Sequence, residues 1–234
     1  MKHDIVYILK QDIDPFELTY SLRSIEKNFP HRKVWFIGGK PKGLTPDVMV
    51  EHKQTGENKW DNIRTSMWKI IQEPELTDDF FLFNDDFFVM KPFKGKFTNY
   101  VDQTLSWRIE ELRKENPWLM PYGRTLYKAR EELKALGYGE KNFEVHLPML
   151  FNKELAHQAI YQCSSPQMRS VYGNITKLPT KEHPDVKVYD LETVPENPDF
   201  LSTNEKTFSE GAVGEYIRGV FLKPSRFETP GGCS

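Results

Sequence analysis

The chain opens with an unbroken apolar run, "IVYIL" at residues 5–9, the pattern of a strand buried on both faces. Asp14-Pro15 then marks a helix start, with Pro15 in the first turn and Glu17 favourable beside it. Leu18, Leu22, Ile25 and Phe29 recur at helical spacing and give that helix one apolar face, and Pro30 ends it. "KVWFIGG" (33–39) reads as a second strand closing on a glycine turn, and "DVMVEH" (47–52) as a third. Helical spacing returns in "WDNIRTSMWKIIQ" (60–72) at Ile63, Met67, Ile70 and Ile71, before Pro74. "FFLF" (80–83) is a fourth strand. The order strand, helix, strand, strand, helix, strand predicts an α/β fold, an open mixed sheet with helices packed on its faces.

After Pro92 the pattern changes to longer polar helices, predicted at 102–116 and 123–136, the second stopped by Gly137. Further helices are expected at 153–163 and 211–221, with short strands at 186–190 and 199–203. No repeat, low-complexity tract or linker divides the chain. Residues 1–234 are therefore expected to form one domain, with the middle helices inserted after the fourth strand.

That fourth strand raises the chemical question. Asn84, Asp85 and Asp86 interrupt the most hydrophobic stretch of the chain, with Phe80–Phe83 before them and Phe87–Met90 after. An unpaired buried carboxylate is costly, so the pair belongs where a strand emerges, and in open α/β sheets ligands collect at the C-terminal ends of strands. Two readings stand. Asp85 and Asp86 can be a turn between two strands with Asn84 capping it. Alternatively, one or both can hold Mg²⁺ or Mn²⁺ through hard oxygen ligands, with phosphates completing the shell.

Other polar residues are ambiguous in the same way. His146 in "FEVHLPML" is either a hydrogen-bonded structural histidine or a general base. Arg169 in "SSPQMRSVYGN" is a surface arginine or a planar fork for a phosphate. Arg23 can pair with Glu26 on its own helix, and Asn204-Glu205 can start a helix. There is no P-loop, no GxGxxG after the first strand, no GxSxG elbow and no Cys/His zinc spacing.

Composition narrows the setting. The net charge of −2 gives no global basic field for nucleic acid or an anionic membrane. Two cysteines, Cys163 and Cys233, are too few for a disulfide framework and suit a reducing cytoplasm. No window approaches the roughly 20 apolar residues of a membrane-spanning helix, and the first apolar run is too short for a signal peptide, so a cytoplasmic protein is expected.

Several segments, taken in order, resemble the Stealth family of sugar-phosphate transferases. "DIVY" (4–7) followed by "ELTYSLRSIEKNFP" (17–30) is similar to its first block, and "DNIRTSMWKI" leading to "NDDFF" (84–88) to its second. "HLPMLFNKEL" (146–155) with "MRS" (168–170) resembles the third, and "FLSTNE" (200–205) with "FLKPSRFE" (221–228) the last. The match departs after Tyr7, where the family's Thr-Trp-Val-Asp-Gly is replaced by Ile8-Leu9-Lys10-Gln11-Asp12.

The resemblance implies a GT-A-like nucleotide-sugar fold, with residues 1–93 as the nucleotide-sugar and metal-binding half and 94–234 as the acceptor side. It implies a nucleotide-sugar donor, a hydroxyl-bearing acceptor and a Mn²⁺ or Mg²⁺ ion on Asp85 and Asp86. Asp86, His146 and Arg169 would be catalytic, and Tyr7, Arg23, Asn62, Asn84 and Asn204 would bind the donor. The reaction implied is transfer of a hexose-1-phosphate with release of a nucleoside monophosphate. Two alternatives stay open: a glycosyltransferase of the same fold releasing nucleoside diphosphate, and an inactive nucleotide-sugar or glycan-binding protein.

Overall fold

A computed structural model describes residues 2–56 and 58–229; Cys233 lies outside the described residues. In chain order the first elements are β1 (Asp4–Leu9), α1 (Pro15–Asn28), β2 (Val34–Gly38), β3 (Val48–Glu51), α2 (Lys59–Ile70) and β4 (Asp79–Phe83). Next come β5 (Phe87–Val89), β6 (Asn99–Val101), α3 (Leu105–Glu115), α4 (Pro121–Ala135), β7 (Met149–Asn152) and α5 (Lys153–Gln162). The last are α6 (Met168–Ile175), β8 (Thr180–Glu182), β9 (Phe200–Ser202), α7 (Glu205–Ser209) and α8 (Ala212–Val220).

Five strands form the central sheet in the order β3-β2-β1-β4-β7. The first four run parallel, and β7 lies antiparallel to β4. The expected open mixed sheet flanked by helices is therefore what the chain builds. Both faces of β1 are buried, which is why its sequence shows no polar alternation. Val6, Trp35, Ile37, Phe80, Leu82 and Phe151 meet one helical layer, with Met67 and Ile70 of α2, Ala156 of α5 and Val171 of α6. Tyr7, Phe36, Phe81 and Phe83 turn to the other face and pack on Leu18, Leu22 and Ile25 of α1.

The N-terminal edge of the sheet is held by one fully buried carboxylate. Asp4 accepts hydrogen bonds from Arg32 Nε (2.8 Å), Trp35 Nε1 (3.0 Å), and the backbone amides of Lys33 and Thr77 (both 3.1 Å). A buried charge is tolerated when every lone pair is used in this way. The opposite, C-terminal edge is left for chemistry. Ile5 pairs with Phe81 and Tyr7 with Phe83, so Asn84 and Asp85 emerge just beyond the end of β4, level with the last residues of β1.

The helical insertion follows that edge. α3 and α4 pack on each other through Leu105, Ile109, Leu126, Ala129 and Leu133, a small core of their own. α3 begins later than its hydrophobic pattern suggests because Thr104 caps it, its side chain accepting from the Trp107 amide (3.1 Å). The strand expected at 186–190 is reduced to one bridge, Lys187 to Ser202, beside the antiparallel β5–β9 ribbon. The polar side chains of that segment are engaged at the site described next.

Candidate functional site

A cavity of about 480 Å³ opens at the C-terminal ends of β1 and β4. Asn84 and Asp85 form its floor, His146 and Arg169 one wall, and the starts of α2 and α4 the other. Its size and position match the ligand clefts of open α/β sheets.

Asn84-Asp85-Asp86 is a tight turn joining β4 to β5, closed by the Phe87 amide donating to the Asn84 carbonyl (3.3 Å). Within it the side chains diverge. Asn84 Oδ1 accepts from Arg169 Nη2 (3.2 Å), rather than capping the turn. Asp85 lines the cavity. Burial, reinforced by the Asp86 charge, pushes its carboxyl up to about 6. Asp86 turns away and receives Lys187 Nζ at 2.8 Å, in a pair whose side chains are only 13 % and 15 % exposed. Burial alone would lower the Lys187 ammonium, but the Asp86 charge and hydrogen bond outweigh it and hold it above its usual range. Glu17 on α1 stands near this group: burial, helped by the Asp86 and Asp85 charges, lifts its carboxyl to about 7 even though Thr203 donates a hydrogen bond to it (2.8 Å).

Arg169 sits at the start of α6 and is buried, yet it contacts the cavity. Its guanidinium donates to the Leu147 carbonyl (2.7 Å), the Leu82 carbonyl (3.4 Å) and Asn84 Oδ1, and its carbon centre lies 5.3 Å from the Phe87 ring centroid. Among the described residues no carboxylate pairs with it within 4 Å. Burial lowers it to about 10, so it stays charged at neutral pH. Its hydrogen bonds all go to neutral groups, and the Glu144 and Asp86 charges act on it only from beyond ion-pair distance, so the guanidinium can take an anion from the cavity.

His146 presents the complementary function. Both oxygens of Asp185 lie 2.8 Å from Nδ1, and Phe87 meets the imidazole edge-on at 6.3 Å. The carboxylate assigns the proton to Nδ1 and leaves the Nε2 lone pair available as a base. Burial favours a neutral Asp185, but His146 and the amides of Lys187 and His146 prevail and keep it below the usual carboxylate range.

The remaining expected donor-binding residues lie elsewhere. Tyr7 is in the sheet core, its hydroxyl 2.9 Å from Ser21 Oγ. Arg23 makes a bidentate pair with Glu228 (2.8 and 2.6 Å) and donates to the Phe221 carbonyl (3.0 Å), so neither the donor nor Glu26 is its partner. Asn204 is the N-cap of α7, its side chain accepting from the Thr207 amide (2.9 Å) and competing with any ligand role. Asn62 accepts from the Gly56 amide (2.7 Å) and braces the loop before α2.

Sequence reasoning passed over Asp185, Lys187 and Glu144, whose Oε1 accepts from the Ser170 amide (2.9 Å) beside Arg169. A usable signal lay in "DVKVYD" (185–190), where Asp185, Lys187 and Tyr189 alternate with apolar neighbours. Asp185 and Tyr189 line the cavity, and Lys187 pairs with Asp86 beside it.

Among the described residues no group of three or more His, Cys, Asp or Glu side chains gathers as a metal cluster. Asp86 Oδ1 is nevertheless buried with no hydrogen-bond partner, and Asp85 carries poorly neutralised charge beside it. Asp85, on the cavity, fits Mg²⁺ or Mn²⁺, which take few protein ligands and fill their shell with water and phosphate oxygens, whereas Asp86, expected to share the ion, is held off the cavity by Lys187.

No family model matches the chain, and no curated protein matches it. Among solved structures it is similar to glycosyltransferase GlyE of Streptococcus pneumoniae TIGR4 in its apo form, at 8 % identity and a TM-score of 0.42. A second GlyE structure gives 8 % and 0.40. Both alignments cover 95 % of this chain and 61 % of the other, so the chain spans about three-fifths of the length of these neighbours.

Proposed function

We propose that the chain is a transferase acting on a nucleotide-sugar donor, moving a hexose-1-phosphate to an acceptor hydroxyl. The observation that carries this reading is Arg169, a buried guanidinium without a carboxylate partner, in the same cavity as a histidine base and an acidic turn. A cation for a phosphate and a base for a hydroxyl are the two groups that attack on phosphorus needs.

In this reading Arg169 takes the charge of the phosphoryl group that is transferred, from a position fixed by Leu147, Leu82 and Asn84. His146 Nε2 removes the acceptor proton, while Asp185 holds the imidazole and stabilises the imidazolium that results. The acceptor oxygen bonds to the sugar-linked phosphorus, the bond from that phosphorus to the bridging oxygen breaks, and a nucleoside monophosphate leaves with that oxygen. Asp85 would hold a divalent cation, with the Asp86 charge behind it, and that ion when bound supplies positive charge to the diphosphate. The Phe87 ring packs against both Arg169 and His146.

The test is a donor panel with Mn²⁺ or Mg²⁺, read by mass spectrometry of the nucleotide released. Nucleoside monophosphate, lost on adding EDTA, is the expected product. Release of nucleoside diphosphate would assign the cavity to glycosyl transfer instead, and no turnover of any donor would remove the reading.

A further inference from the structure

Four aromatic side chains from separate parts of the chain face the cavity: Trp60 on α2, Trp107 on α3, Tyr122 on α4 and Tyr189 beyond the 185–188 segment. Two of them form a pair. The Trp60 and Tyr122 rings are close to parallel, 22° apart, with centroids separated by 6.3 Å. The other near-parallel pairs among the described residues are tighter and buried in the core: Phe80–Phe151 at 5.8 Å, Phe88–Phe208 at 5.4 Å and Phe151–Tyr172 at 4.3 Å. Trp60–Tyr122 is the widest of the four and lies on a cavity wall.

The backbones beneath this pair are fixed. Asn58 caps α2 by accepting from the Trp60 amide (3.0 Å), and Pro121 occupies the first position of α4 next to Tyr122. The rings can therefore part by side-chain rotation while their helices stay in place. Ile63, three residues along the same helix face from Trp60, continues the wall, and Lys59 Nζ lies 5.0 Å from the Trp60 ring centroid. A flat heteroaromatic ring suits such a pair, because its faces stack on the rings while its edge can meet polar groups such as Lys59 and Arg108 of the same cavity.

We infer that Trp60 and Tyr122 form a stacking subsite for the base of the nucleotide donor. The inference rests on the nucleotide-sugar reading and adds to it a place for the base, on the α2–α4 side of the cavity that also holds Arg169 and Asp85. Stacking accepts any base, so the pair fixes the ring and leaves the choice between purine and pyrimidine to edge contacts.

Calorimetry with Mg²⁺ present tests it, using uridine, cytidine, adenosine and guanosine monophosphates and, as a probe without a base, ribose 5-phosphate. The proteins are wild type, Trp60→Leu and Trp60→Phe, each checked for an unchanged melt. Trp60→Leu should weaken the best-bound nucleotide about tenfold or more. Trp60→Phe should keep most of that affinity, and ribose 5-phosphate should bind all three proteins alike. Equal nucleotide affinity in wild type and Trp60→Leu overturns the subsite while leaving the donor reading in place, as does an equal loss for ribose 5-phosphate. Wild-type protein that prefers no nucleotide over ribose 5-phosphate overturns both.

Discussion

At the scale of single residues, the site is defined by charges whose partners are incomplete. Arg169 is buried against carbonyls and an amide, and Asp86 has one oxygen paired with Lys187 and one with nothing. Arg169→Met is expected to lower kcat/KM at least about a hundredfold, the usual loss when a fixed transition-state donor is removed. Arg169→Lys should recover little of it, because an ammonium cannot span three acceptors as a planar fork does. Steady-state kinetics on the donor found by the panel checks both.

Glu17 gives a prediction about stability. Its carboxyl titrates near 4.5 when exposed and near 7 in the fold, so the folded state binds the proton more tightly than the unfolded one. Its effect on stability is therefore most favourable below about pH 4.5 and declines as pH rises through about 7. Glu17→Gln, which keeps an acceptor for Thr203, should match wild type at pH 4 and exceed it by roughly 1–3 kcal/mol at pH 8. Urea melts at the two pH values measure this, and equal stability at pH 8 would contradict it.

At the scale of elements, several sequence blocks that resemble a family's functional blocks serve the fold. Arg23 joins α1 to the segment after α8 through Glu228, with side chains only 13 % and 10 % exposed. Arg23→Ala is expected to cost about 2–3 kcal/mol, since it leaves a largely buried carboxylate without its cation, and to leave nucleotide affinity unchanged. A denaturant melt alongside calorimetry separates the two effects, and loss of affinity at unchanged stability would return Arg23 to the site.

The parts of the fold legible in the sequence were those with local signals. β1, α1, β2, α2 and β4 announced themselves by unbroken apolar runs, by i, i+3, i+4 spacing and by Pro15, Pro30 and Pro74. α6 was missed because it is eight residues long and buried nearly all round, so no polar face marks its period. β6, β7 and β8 are three or four residues each and depend on distant partners for their existence. The Asn84-Asp85-Asp86 turn could be located from sequence because its apolar flanks are local. The links from Asp185 to His146 and from Lys187 to Asp86 span 39 and 101 residues, and no window of sequence contains them.

At the scale of the whole molecule, the sheet divides structure from chemistry. One edge is fastened by Asp4 with a full set of donors, and the other opens on a cavity where Arg169, Asp85 and the His146–Asp185 pair converge from four stretches of chain. The helical insertion adds Trp107, Arg108 and Tyr122 to the far wall, so the cavity is complete only when both halves of the sequence are in place. No described helix is long and apolar enough to cross a membrane.

In the proposed reaction this cavity cuts a phosphorus–oxygen bond of a nucleotide sugar and leaves the anomeric bond intact. The direct measurement is a single turnover with the donor carrying ¹⁸O between the anomeric carbon and phosphorus, followed by mass spectrometry of both products. The label is expected in the sugar phosphate joined to the acceptor, with unlabelled nucleoside monophosphate released. Label in a released nucleoside diphosphate would mean that the anomeric bond was broken, and would contradict the proposed reaction.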